Sequence, residues 1–148
     1  MDSTNSSNID IRWQQRFDNF SNAYLLLKEI CETDISQLDE KSQQVWKEAT
    51  IQRFEYTLDL AWKVLKDKME YDGINLSNVS PKFVIRTAFN ANYINTYDVG
   101  DWMAMIDDRN DTSHDYERNK FEAIFIKVKS IYLPLFTSFY DQHLPPKC

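Results

Sequence analysis

Arg109 and His114 stand five positions apart in "DDRNDTSHDY", residues 107–116, where an apolar run gives way to charge. The stretch also carries Asn110, Ser113 and Tyr116, and His114 is one of only two histidines in the chain. A helical protein needs neither residue there for packing, since cores prefer aliphatic side chains and surfaces accept any charged one. Together these residue types suit metal-free cleavage of RNA. Histidine transfers protons near neutral pH, arginine grips a phosphate through two parallel hydrogen bonds, and the ribose 2′-hydroxyl is an internal nucleophile.

Geometry restricts how they can act. On one straight helix, five positions amount to about 140° of rotation, so the two side chains point apart. They converge if the helix ends within "NDTSH", or if two copies face each other across a twofold axis and share one site. Asn110 and His114 are one turn apart and serve one face. Failing both arrangements, the cations simply complement the negative end of a helix. Asp107, Asp108, Asp111, Asp115 and Glu117 crowd the stretch. Carboxylates repel a phosphodiester unless they point away or pair with Arg109 and Arg118. They also favour protonated His114, which suits a general acid.

Other chemistries find less support. Di-iron bundles use a carboxylate three residues before a histidine, twice; here "DTSH", Asp111 to His114, has the spacing, whereas His143 follows Tyr140. No P-loop, GxGxxG or Cys-His zinc spacing occurs. Ser113 adjoins His114, but helical neighbours diverge by about 100°, which defeats a nucleophile–base pair. Neither a metal nor a cofactor is expected.

The elements that position the stretch follow from composition and periodicity. The chain has 148 residues, 43% hydrophobic and 14% aromatic, with two glycines and four prolines. That is too little punctuation for a many-stranded sheet, and the length suits one domain with its own core. Cys31 and Cys148 form no disulfide framework, which fits a reducing cytoplasm, and Cys31 falls on a core stripe. The polar start "MDSTNSSNID" lacks a signal pattern, and no run approaches the roughly 18 apolar residues of a membrane span. A cytoplasmic protein without a membrane contact is expected. A net charge of −6 and a pI of about 4.9 exclude general affinity for DNA or RNA, so any RNA contact is local or made with a partner.

Trp13, Phe17, Phe20, Tyr24, Leu27 and Cys31 recur in steps of four and three, predicting a helix from Ile9 to Cys31. A longer pattern from Gln43 to Tyr71 puts Val45, Ala49, Phe54, Leu58, Ala61, Leu65 and Met69 on one face. Ile51, Tyr56, Leu60, Trp62 and Val64 form a second apolar face, which marks the central helix of about eight turns, with Trp62 in the core and Gly73 ending it. Ser80 and Pro81 predict a capped helix over 81–91. Another begins after Thr96 or Asp98 and runs through Trp102, Met105 and Ile106 into the charged stretch. The last spans Asn119 to His143, with Phe121, Phe125, Val128, Tyr132, Leu135 and Phe139 on one stripe and a kink at Pro134. The expected product is an all-α, up-down bundle of about five helices over 9–144, preceded by a disordered tail, 1–8.

"RNDTSHDY" resembles the R-x4-H-x-Y motif of the HEPN superfamily, specifically the HEPN toxins encoded beside minimal nucleotidyltransferase (MNT) antitoxins. "QRFEYTLDLAWKVLKD" at 52–67, "SPKFVIRTAF" at 80–89, "DWMAMIDDRNDTSHDY" at 101–116 and "YLPLF" at 132–136 are similar, in that order, to the branch once labelled nucleotidyltransferase substrate-binding protein. The resemblance implies a HEPN bundle that forms a homodimer, with two motifs meeting in a cleft, and an assembly with an MNT partner. Arg109 and His114 match the catalytic pair of HEPN ribonucleases, with RNA as substrate, and Asn110 matches the polar residue that follows the arginine. Ser113 falls among the substrate contacts, and Tyr116 matches the tyrosine that the partner modifies with AMP to silence the toxin. Glu55 resembles a further landmark, read here as a buried hydrogen-bond partner. The alternative is a non-catalytic subunit that presents a substrate, or Tyr116 itself, to the nucleotidyltransferase.

Overall fold

Asp39 opens the longest helix by accepting a hydrogen bond from the Ser42 backbone N–H at 2.7 Å. That cap starts the helix at Glu40, ahead of the start at Gln43 that the apolar pattern suggests. The computed structural model describes residues 11–95, 98–112 and 118–143, so the expected tail over 1–8 lies outside the described residues. Its helices are α1 (Arg12–Glu32), α2 (Glu40–Tyr71), α3 (Pro81–Asn90), α4 (Val99–Thr112), α5 (Arg118–Lys127) and α6 (Leu133–His143). A π-helical turn, Val128–Tyr132, joins α5 to α6 without a break. Counting that run once gives five helices, and the described residues include no strand. The all-α bundle expected from the sequence is what forms.

The irregularity that Pro134 demands appears just before it. Proline has no N–H to give the carbonyl four residues back. The chain here has widened into the π turn, where the Leu133 N–H bonds to the Val128 carbonyl five residues earlier.

Two glycine-type stops shape the far end of the bundle. After α2, Gly73 takes φ +93°, with Gly73 N–H bonded to Glu70 O and Ile74 N–H to Met69 O. After α3, Asn92 does the same at φ +65°, with Asn92 N–H on Phe89 O and Tyr93 N–H on Ala88 O. Both are Schellman stops, in which a left-handed residue lets the last carbonyls find donors. The Tyr93 hydroxyl then reaches the Asp72 carboxylate, fastening one stop to the other.

Contacts fix the helix directions. Arg16 at the start of α1 meets buried Asp67 near the end of α2 at 3.0 Å, so the two run antiparallel. Tyr24 bonds to Thr137 at 2.7 Å, and Phe17 lies against Tyr140 while Phe20 meets Phe136; α6 therefore runs against α1. Trp102 of α4 meets Phe136 and Phe139 edge-on. Phe20, Phe54, Trp102, Tyr132 and Phe136 are fully buried and form the aromatic centre of the core, where T-shaped and offset pairs are favoured. Cys31 is buried as expected.

Three apolar positions on α2 depart from the expected pattern. Val45 and Tyr56 are about 60% exposed (61% and 60%), and Trp62 is half-buried at the edge of the core. Ile51, Leu60 and Val64 of the second face are buried. Neighbouring helices thus cover α2 on that side only in part. No described helix is long and apolar enough to cross a membrane.

Candidate functional site

Arg109 sits in the last described turn of α4 and projects onto α2, where two acids one turn apart receive it. Its Nε donates to Asp59 Oδ1 at 3.3 Å and its Nη2 to Asp59 Oδ2 at 3.0 Å. This is a side-on, bidentate pairing with the geometry that makes Arg–carboxylate bonds directional. Glu55 Oε2 stands 3.8 Å from Nη1, beyond hydrogen-bond range. The same Glu55 oxygen accepts the Thr112 hydroxyl, which is also within 2.9 Å of the Arg109 carbonyl. Two acids of α2 therefore hold the end of α4, one through its arginine and one through its threonine.

The pairing raises the guanidinium's pKa, chiefly through the Asp59 hydrogen bonds, with burial acting against it and the Asp59 and Glu55 charges adding to the rise. Arg109 stays a cation at any relevant pH. With side-chain exposures of 28% for Arg109 and 36% for Asp59, solvent screens the pair, so its value to stability is modest. Its consequence is directional: it settles which edge of the guanidinium Asp59 takes and which it leaves.

The three described acids around Arg109 on α4 each pair with a lysine. Asp107 pairs with Lys82 of α3, Asp111 with Lys120 of α5 at 3.1 Å, and Asp108 with Lys127 at 2.8 Å. Of the two arginines the sequence offered as partners for these acids, Arg109 is turned to α2, and Arg118 comes within 3.9 Å of Glu40 among the described residues. Asp108 is also buried and accepts the Tyr132 hydroxyl. Glu55 is the hydrogen-bond partner the sequence suggested, though half-buried.

Asn110 lies exposed on α4 and has a partner of its own. Ser113, His114 and Tyr116 lie outside the described residues, as do Asp115 and Glu117. Asp59 is absent from the sequence-derived site; its only signal was the four-residue spacing from Glu55, which puts both acids on one flank of α2. No group of metal-ligating side chains occurs among the described residues. Beside the pair, α2, the end of α4 and α5 form a groove of about 250 Å³ lined by Glu48, Ile51, Gln52, Glu55, Thr112 and Phe121.

Residues 15–144 match the family model described as nucleotidyltransferase substrate binding protein like. The chain belongs to that family. The chain is also 32% identical over 81 residues to a probable ribonuclease HepT of Haemophilus influenzae. That match takes in 53% of this chain and 54% of the relative, so the chain spans about half the length of the curated protein it matches. A crystal structure from Thermus thermophilus superposes with a TM-score of 0.64 at 31% identity, covering 83% of this chain and 93% of that one. The likeness extends over nearly the whole bundle, and the chain is a HEPN-type member of the family, as the motif blocks implied.

Proposed function

We propose that this protein is a HEPN toxin acting as a metal-independent endoribonuclease. Arg109 and His114 are its catalytic pair, Asn110 and Ser113 assist at the substrate, and the site is completed across a homodimer. The observation that carries the reading is Arg109 itself, held half-exposed at the end of α4 in a chain similar to a probable ribonuclease. In the reaction the ribose 2′-hydroxyl gives up its proton to water and attacks the adjacent phosphorus while the bond to the 5′-oxygen breaks, leaving a 2′,3′-cyclic phosphate and a 5′-hydroxyl. Arg109 neutralises charge on the non-bridging oxygens, and His114 donates the proton to the departing oxygen. The lysine pairing of Asp107, Asp108 and Asp111 removes much of the repulsion a phosphodiester would otherwise meet. A nucleotidyltransferase partner, in keeping with the family's description, silences the protein by placing AMP on Tyr116 in the cytoplasm.

The family description favours a second reading, a non-catalytic subunit that presents substrate to the nucleotidyltransferase. One experiment separates the two. Purified protein, with intact mass showing no adenylate on Tyr116, is incubated with a mixed RNA pool in chelator beside Arg109→Ala and His114→Ala. Cleavage lost in both variants establishes the ribonuclease; an inert wild type transfers the case to the presenting subunit.

A further inference from the structure

A guanidinium has five N–H donors arranged on two useful edges: Nε with Nη2 on the side, and Nη1 with Nη2 at the end. Asp59 occupies the side edge completely, with its two oxygens 3.3 and 3.0 Å from Nε and Nη2. The end edge receives no hydrogen bond from any described residue, since Glu55 stops 3.8 Å from Nη1 and spends that oxygen on Thr112. A bidentate phosphate contact needs one whole edge, so in this arrangement only the end edge is on offer. An unheld arginine has four rotatable side-chain bonds and presents either edge; fixing the guanidinium before substrate arrives lowers the entropy that binding must otherwise spend.

We infer that Asp59 is a positioning residue of the candidate site, holding Arg109 side-on so that its Nη1/Nη2 edge meets a substrate phosphate. Glu55 completes the arrangement from the next turn of α2 by anchoring Thr112, so that α2 sets both the direction of the arginine and the place of the turn that carries it. Asp59 acts through Arg109 and touches no substrate. This inference rests on the ribonuclease reading and adds to it the residue that orients the phosphate clamp.

The test is a double-mutant cycle read by binding, which survives loss of chemistry. Affinity for a 2′-O-methyl RNA oligonucleotide, which cannot be cleaved through its 2′ position, is measured by fluorescence anisotropy. The proteins are wild type, Asp59→Asn, Arg109→Ala and the double variant, with thermal melts confirming that each is folded. Asp107→Asn, which makes the same charge change two residues from Arg109 on an acid paired with Lys82, gives the effect of charge alone. Asp59→Asn is expected to weaken binding about 10- to 100-fold relative to Asp107→Asn, the range for a lost charge-assisted hydrogen bond. In the Arg109→Ala background it is expected to change nothing further. An equal loss in that background makes Asp59 merely structural, and unchanged or tighter binding by Asp59→Asn makes it a competitor for the arginine; either overturns the inference. If Arg109→Ala itself binds and cleaves as the wild type does, the ribonuclease reading fails instead.

Discussion

The Tyr132 hydroxyl, on the π turn of the last helix, donates to the carboxylate of Asp108, the residue immediately before Arg109 on α4. Lys127 reaches the same carboxylate at 2.8 Å. Burial, and then the Asp108 bond, push the phenol's pKa up, so Tyr132 remains a donor throughout the working pH range. The pairing means that α4 is gripped on both sides where the motif begins: by α2 through Arg109 and by the last helix through Asp108. The widening at Val128–Tyr132 belongs to the same device, because it carries the tyrosine that makes the second grip.

Tyr132→Phe tests that grip. The ring still fills its place against Phe54, 5.4 Å away centre to centre, but buried Asp108 loses one of its two partners. Loss of a hydrogen bond to a buried charge costs about 1–3 kcal/mol. The urea midpoint should fall with the slope unchanged. A midpoint equal to that of the wild type would show that Lys127 alone satisfies the carboxylate.

Helix starts offer a sharper comparison, because two similar sequence signals have different structures. Asp39 caps α2 through its side chain. Ser80 holds the corresponding place before α3, with extended backbone, yet its side chain makes no cap bond; its N–H is instead held by Asn78 Oδ1 at 2.8 Å. Ser80 thus occupies the N-cap position as expected, with Pro81 after it, but without the side-chain bond. Asp39→Ala should therefore lower the urea midpoint, while Ser80→Ala should leave it close to that of the wild type. Equal losses in urea denaturation would contradict the assignment of the caps.

How far the sequence could carry these results depends on what periodicity records. A stripe at helical spacing reports which side of a helix is apolar, and Phe17, Phe20, Tyr24 and Leu27 are buried as their spacing requires. It does not report where the covering neighbour ends, and Val45 and Tyr56 are exposed for that reason. Asn92 passed unread as a helix stop because asparagine enters the left-handed region at modest cost without the plain signal of glycine. In the site, Arg109 and Asn110 were readable from a short motif. Asp59 was not, because it lies 50 residues away on another helix, and the pairing of two such residues is a tertiary fact.

His143 supplies a pH dependence whose sign can be worked out. Its ring lies 4.4 Å from the Phe139 ring and 6.3 Å from that of Phe17, centre to centre, and its Nδ1 is 3.1 Å from the Phe139 carbonyl. In the neutral ring, that nitrogen is the donor. Burial lowers the pKa below the ordinary histidine value of 6.5; the carbonyl contact opposes the shift and the charge of Lys68 adds to it. The unfolded chain therefore binds the proton more readily than the folded one, so the contribution is fully present above about pH 6.5 and is lost as pH falls below it. Asp34, Asp39 and Asp72 have lowered pKa values, held down chiefly by the Ser36 N–H, the Ser42 N–H and the Tyr93 hydroxyl respectively. They act only near and below about pH 4, outside this window. Melting temperatures at about pH 7.5, 6.5 and 5.5 should fall more steeply for the wild type than for His143→Phe, whose aromatic ring keeps the packing and cannot titrate. Parallel curves for the two proteins would mean that His143 is protonated as easily in the fold as in the open chain, and the assignment of its burial as the cause would be wrong.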